Sequence, residues 1–346
     1  MTVMEALLEG VGTATRHWRA LLLIWAVNLL LAVPLALWVG QSVDEELAHT
    51  DSAPHMAEGF DWLWYQEFHA RHSGEGDPAA TLTFWQQGAA PVLRNFEHYV
   101  IGTLRSGVPG ALLASGLIYL LLTTFLTGGL LGLFSRRDSR FTFRFFFDRA
   151  GRHFLGLLGV LVVAQLLYLL VWRGLGVPLR GLVAAGAAEA TTEWTPVLLD
   201  WGTALVLLIL VLGVHMTMNF VRVALVAWEK LGLGTALVGA VMFTFRNLRR
   251  AAGLFGAITL LAVVLFGIWS LLAGLGGGGS AGDLLLLALV QQIFIVGSIW
   301  IRAVYLAGQM AFYRGAMNLP DFVTPASPPP DGDQDRVEVE TAALTG

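Results

Sequence analysis

Three polar side chains stand at helical spacing inside an apolar stretch of the chain. His215, Asn219 and Arg222, in the segment VHMTMNFVR, are separated by four and then three residues. On a helix this spacing places all three on one face. A guanidinium group binds phosphate or carboxylate strongly, and a histidine that water reaches can relay a proton. The three residues are therefore candidates for an anion-binding site.

A second polar stripe lies further along the chain. Gln291, Ser298 and Arg302 again fall close to one helical face. If the two helices meet inside a bundle, Arg222 and Arg302 face a shared polar cavity. We expect such a cavity to open toward the cytoplasm and to bind a phospholipid headgroup or an anionic solute.

The competing interpretation, which the sequence alone favours, is structural. Asn28 and Gln165, in two other apolar stretches, are further candidates for the cavity. However, buried Gln, Asn and His side chains often only hydrogen-bond between membrane helices and contribute about 0.6 kcal/mol each. Arg222 lies about five residues, or roughly 7 Å, from the predicted end of its helix. From there its side chain can extend to the lipid headgroups.

The composition indicates what must position these residues. Of the 346 residues, 56% are hydrophobic and 13% are charged, whereas soluble domains carry about 25% charged residues. A helix needs about 20 apolar residues to cross a bilayer, and lipid leaves the backbone no other way to pair its polar groups. We therefore predict an all-α membrane protein with six transmembrane helices, at roughly 20–40, 110–134, 154–173, 203–227, 251–273 and 284–307.

Arginine distribution predicts the orientation of the spans. The 135–153 loop holds six arginines, and 228–250 is also basic, whereas 174–200 holds only Arg180 and 274–283 holds none. Because basic loops stay in the cytoplasm, both termini are expected there. The expected location is the bacterial inner membrane.

A basic and aromatic pattern recurs before three of the spans, in TRHWRALLL, GRHFLGLLG and FRNLRRAAGLFG. Placing Arg16, Arg152 and Arg246 at equivalent positions leaves a segment of helical periodicity upstream of each. The first and third copies also match at several further positions, which include Ala6 with Ala236 and Arg19 with Arg249. These matches suggest three repeats of an amphipathic helix at the membrane surface followed by a transmembrane hairpin. Any membrane protein alternates basic loops with apolar spans, and this alternation explains the pattern equally well without a repeat.

Two other regions complete the predicted organisation. Residues 1–318 form the polytopic domain, and its long 41–107 loop is expected outside the cell with aromatic helices at the interface. Residues 319–346 are proline-rich and acidic, and are expected to form a disordered cytoplasmic tail.

Several classes of function are disfavoured. The chain has no cysteine and a net charge of only −4, so thiolate sites and nucleic-acid binding are not expected. No HExxH motif, serine elbow or pair of intramembrane carboxylates is present. His69 and His72 with Asp61 and Glu67 are a weak metal candidate. We expect no catalytic residues, no metal and no cofactor.

Three segments, FDWLWYQEF, FLTGGLLGLFSR (125–136) and FFFDRAGRHF (145–154), resemble a group of bacterial six-helix membrane proteins of unknown function. The resemblance implies the topology and no functional residues. The predicted interfacial helices, the outer loop and the tail favour a role in membrane assembly or as a scaffold, without enzymatic activity. The alternative is a carrier or permease subunit for a lipid or other anionic substrate. The expected partners are the lipid bilayer, other membrane proteins and anionic lipids.

Overall fold

The computed structural model describes residues 1–48, 110–136, 140–188, 194–228, 231–273 and 281–317, together with 63, 64, 66, 67, 70, 190 and 192. Most of the predicted 41–107 loop lies outside these residues, as do the predicted metal candidates other than Glu67. The predicted tail, 319–346, also lies outside the described residues.

The described residues form helices and no strands. Their bounds are α1 Val3–Arg16, α2 Trp18–Leu47, α3 Gly110–Phe134, α4 Phe143–Leu169, a π-helical segment Leu170–Gly176, α5 Val177–Ala188, α6 Trp194–Ala227, α7 Leu233–Arg246, α8 Leu248–Ala273 and α9 Ala281–Met317. Five helices are long and apolar enough to cross a membrane, and α1 with α2, bent by 70° at their junction, makes a sixth. The predicted all-α membrane fold with about six spans is confirmed.

One span extends well beyond its predicted bounds. The third was predicted to end at 173, but the π-helical segment carries it into α5, so that Phe143–Ala188 is one helical run of 46 residues. At 1.5 Å per residue this run is about 70 Å long, more than twice the hydrocarbon thickness. Pro178 does not end it, because proline is tolerated in the first turn of a helix.

The first and third predicted repeats share their local geometry. α1 and α7 each have 14 residues, and each is followed by a single break residue, His17 or Asn247, before the next helix begins. Nδ1 of His17 donates to the carbonyl oxygen of Thr13 at 2.9 Å, and Nδ2 of Asn247 donates to that of Phe243 at 3.0 Å. The matched sequence positions therefore correspond to matched structure.

The second predicted repeat departs from this pattern, because no separate amphipathic helix forms there. α4 continues through His153, the position that aligns with His17 and Asn247. Its first turns pack closely on α3. A Cβ on Gly129 would lie 2.6 Å from the Phe146 ring, and one on Gly132 would lie 2.6 Å from the Cβ of Arg149. The segment that corresponds to α1 and α7 is therefore the first part of one continuous helix.

All three amphipathic segments nevertheless pack in the same way. The first turns of α4 lie on α3, and α7 lies on α6, so each of these segments contacts the second span of the preceding repeat. α1 lies on α9, the second span of the last repeat, and this contact closes the arrangement. The α1–α9 contact brings two backbones together: a Cβ on Gly10 would lie 2.8 Å from the backbone nitrogen of Gly308.

These packed segments define one end of the bundle, which we call the basic end. It comprises α1, α7, the first turns of α4 and the last turns of α3, α6 and α9, and it carries most of the described arginines. Nη1 of Arg314, from α9, donates to the carbonyl oxygen of Ser135 just after α3, at 3.1 Å. The hydrophobic core concentrates at the basic end. At the opposite, far end, long apolar side chains such as Leu182 and Leu271 are exposed.

Candidate anion-binding site between α6 and α9

Asn219 organises the polar residues of α6. Its Nδ2 donates to the carbonyl oxygen of His215, one turn earlier, at 2.9 Å. Its Oδ1 accepts a hydrogen bond of 3.0 Å from Nη1 of Arg222. Asn219 itself is 3% exposed, so its carboxamide is a buried fixed point. The guanidinium group of Arg222 is thereby oriented toward the same side of α6 as the imidazole of His215.

Tyr305 brings α9 to this cluster. Its hydroxyl lies 3.5 Å from Nδ2 of Asn219 and also contacts the side chain of Gln309, one turn further along α9. Its ring lies nearly parallel to that of His215, at 9°, with the centroids 6.2 Å apart. Gln309 is 1% exposed, and its Oε1 has no hydrogen-bond partner among the described residues.

Two more helices enclose the imidazole of His215. From α4, the Tyr168 hydroxyl lies 3.4 Å from Nδ1 of His215. From α8, the edge of the Phe255 ring lies against both His215 and Tyr305, with centroids 6.0 and 5.7 Å away. Residues from α4, α6, α8 and α9 therefore meet at a single histidine.

Both arginines predicted from the sequence lie on the helix faces that meet at this histidine. Arg222 follows His215 by seven positions on α6, and Arg302 precedes Tyr305 by three positions on α9. Arg222 is half-buried, and Arg302 is exposed. Arg302 lies close to the basic end, because the indole of Trp300, two residues earlier, donates to the hydroxyl of Thr15 near the junction of α1 and α2. Guanidinium groups on two helices that meet at one polar cluster are suitable for binding an anion.

The cluster is closed toward the basic end. Phe220, Phe243, Phe312 and Tyr313, from α6, α7 and α9, are all buried. Their rings pack with centroids 4.8 to 6.2 Å apart. Aromatic side chains therefore fill the side of the cluster that faces the basic end, and the expected opening toward the cytoplasm stays a prediction.

Gln291 and Ser298 do not join the cluster. Oε1 of Gln291 accepts a hydrogen bond of 2.9 Å from the indole of Trp269 in α8. Ser298 donates to the carbonyl oxygen of Phe294 within its own helix, at 2.8 Å. The neighbouring Gln292 accepts from the indole of Trp25 in α2, at 2.9 Å. Adjacent glutamines thus fasten α9 to α8 and α2, which is a structural role.

The residues that sequence reasoning missed are Tyr168 and Tyr305. A signal for Tyr305 was present, because Arg302, Tyr305 and Gln309 follow each other at intervals of three and four residues and so share a face. Tyr168 carried no such signal, since its role depends on which helix packs beside it. Gln165 lies one turn before Tyr168, and its Nε2 is buried without a hydrogen-bond partner among the described residues.

Among the described residues, no group of three or more histidine and acidic side chains is placed to hold a metal ion. Comparison of the chain with known protein families, with curated proteins and with solved structures finds no match.

Proposed function

We propose that this protein is a carrier or permease subunit for an anionic substrate, without enzymatic activity. The observation that supports this proposal is the position of Arg222 and Arg302, which come from two spanning helices whose polar faces meet at His215 and Tyr305. The half-buried Arg222, bonded to Asn219 within a span, is costly in lipid, and such residues usually mark the route of a substrate.

The surroundings of the arginines fit this role. Asn219 orients Arg222 by a direct hydrogen bond and also contacts Tyr305 on α9. An anion that bridges the two arginines would therefore act on both helices at once. Because the two helices belong to different repeats, binding would change the contact between repeats, which is the kind of coupling that a carrier needs.

We also propose that the protein resides in a bacterial inner membrane with its basic end in the cytoplasm. In support, most of the described arginines gather at the basic end, whereas Arg173 and Arg180 lie toward the far end, as do the acidic Asp200 and Asp283. Both termini would then be cytoplasmic by the positive-inside rule.

Transport in reconstituted vesicles tests the carrier role. The probes are a fluorescent phosphatidylglycerol, followed from one leaflet to the other, and inorganic phosphate, followed into the vesicle. We expect the R222Q/R302Q double variant to lose at least tenfold in rate for one of the two probes. The R173Q/R180Q double variant, which removes the same charge at the far end, should match the unaltered protein. Equal rates in all three proteins would overturn the proposal.

A second candidate function is a scaffold in membrane assembly. The closed arrangement of α1 on α9, α7 on α6 and α4 on α3 supports it, because it forms a rigid platform with exposed arginines. A scaffold would co-purify with a stoichiometric membrane-protein partner from native nanodiscs, and that complex should survive the R222Q/R302Q change. A carrier alone would not require such a partner.

Lipid analysis of a deletion strain tests the absence of enzymatic activity. A carrier or scaffold should leave the chemical set of lipids unchanged. Accumulation of one lipid precursor would overturn this part of the proposal.

A further inference from the structure

Access to the arginine pair is restricted to one face of α9. From Ile301 to Tyr313, all of which the structure describes, Arg302 is exposed and Tyr305 is half-buried, while the other side chains are buried. Because Arg302 and Tyr305 are three positions apart in a helix, they share one face. That face is the one on which Tyr305 meets His215 of α6. The opening is therefore lateral, in the wall of the bundle.

Arg302 and Tyr305 are accessible here because α6 and α8 each pack on α9 but make few contacts with each other. The ring contact between His215 and Phe255 joins them at the level of the cluster. Further from the basic end, on the His215 side of α6, Leu208 and Leu212 are exposed. We call the surface formed by Arg302, Tyr305, His215, Leu212 and Leu208 the lateral slot.

The lateral slot is polar near the membrane surface and apolar deeper in the membrane, which matches the headgroup and acyl chains of a phospholipid. Its arginine lies near the junction of α1 and α2, where Trp300 bonds to Thr15 and where Arg19 is exposed. Arginine and tryptophan together are typical of the headgroup boundary. Leu208 precedes His215 by seven residues and is thus about 10 Å deeper in the hydrocarbon region.

We infer that the lateral slot binds an anionic phospholipid of the leaflet at the basic end, with its phosphate on Arg302 and Arg222 and an acyl chain along Leu212 and Leu208. This inference rests on the anion site of the proposed function and names its substrate class. Zwitterionic lipids are disfavoured, because two guanidinium groups favour a headgroup of net negative charge.

Free phosphate can bind the arginines in the same way as a lipid phosphate, but it makes no contact with the apolar end of the slot. Changes at Leu208 and Leu212 therefore distinguish binding of a phospholipid from binding of inorganic phosphate. Placing a charge at Leu212 should repel an acyl chain and leave the attraction of the arginines for inorganic phosphate in place.

Native mass spectrometry of the full chain, exchanged into vesicles of equal phosphatidylglycerol, phosphatidylethanolamine and phosphatidylcholine, tests the inference. We expect retention of phosphatidylglycerol at least tenfold above the other two lipids. R302Q and L212E should each lower that retention at least fivefold, and R180Q, an exposed arginine toward the far end, should leave it unchanged.

Two results would overturn the inference: equal retention of all three lipids, or displacement of the phosphatidylglycerol by millimolar inorganic phosphate. The lipid site and the proposed carrier role can be refuted independently of each other. Selective retention without any transport would leave the lipid site standing and remove the carrier, whereas phosphate uptake without lipid retention would do the reverse.

Discussion

His17 and Asn247 occupy the same place in two copies of one structural unit. Each is the single residue between a 14-residue helix and a long apolar helix. Each also donates a side-chain hydrogen bond to the carbonyl oxygen four residues earlier, at 2.9 and 3.0 Å. Each carbonyl group also accepts a hydrogen bond from the backbone nitrogen of the same residue, so imidazole and carboxamide add a second bond at the bend.

We expect Asn247→Ala to destabilise the protein by about 1 kcal/mol, which is a typical value for one intramolecular hydrogen bond. Asn247→His should retain most of the stability, because the first repeat uses histidine for the same bond. Thermal unfolding in detergent, followed by the intrinsic tryptophan fluorescence, measures both changes. If the histidine variant is as unstable as the alanine variant, the two bends are not equivalent.

The contact of α1 with α9 should tolerate no side chain at Gly10. A Cβ there would meet backbone atoms of Gly308 and Val304 at 2.8 Å, so Gly10→Leu must push the helices apart. We expect a loss of about 3 kcal/mol, the upper range for overpacking, and faster proteolysis near the N-terminus.

Gly12, two residues away in the same helix, supplies the matched control for this change. A Cβ at Gly12 meets nothing within 4 Å. Gly12→Ala should therefore stabilise α1 by about 0.5–1 kcal/mol, since alanine loses less backbone entropy in a helix. Equal proteolysis of the two variants would contradict the packing of α1 on α9.

The two polar stripes should separate in function. Asn219→Ala removes the hydrogen bond that orients Arg222, and we expect the retention of phosphatidylglycerol to fall at least fivefold. Gln291→Ala removes the bond from Trp269. It should cost about 0.6 kcal/mol of stability and leave lipid retention as it was. A parallel loss of retention in both variants would place Gln291 in the site after all.

The orientation can be measured directly, because the chain has no cysteine of its own. Single cysteines in place of Arg140, at the basic end, and Arg180, toward the far end, should react with a membrane-impermeant maleimide from opposite sides of the membrane. We expect Arg180→Cys to react from outside intact cells and Arg140→Cys only after the membrane is opened. The reverse pattern would invert the proposed topology.

Much of the fold was predictable because it depends on local properties. Span length follows from bilayer thickness, and the repeat was visible in matched positions such as Ala6 with Ala236, both of which are buried. The straight α4 was not predictable, since the same basic and aromatic pattern precedes a bend in α1 and in α7. Its first turns pack on Gly129 and Gly132 of another helix, a contact that the pattern itself does not contain.

The sequence by itself determined that the chain is helical, that it crosses a membrane about six times, and that Arg222 and Arg302 lie on helices able to face each other. These results need only the period of a helix and the cost of polar groups in lipid. Tertiary structure alone decided that Tyr168 and Tyr305 lie against His215, that Gln291 bonds to Trp269 instead, and that Arg302 is exposed while its neighbours on α9 are buried. Each of these depends on contacts between residues far apart in the chain, and helical spacing carries no information about them.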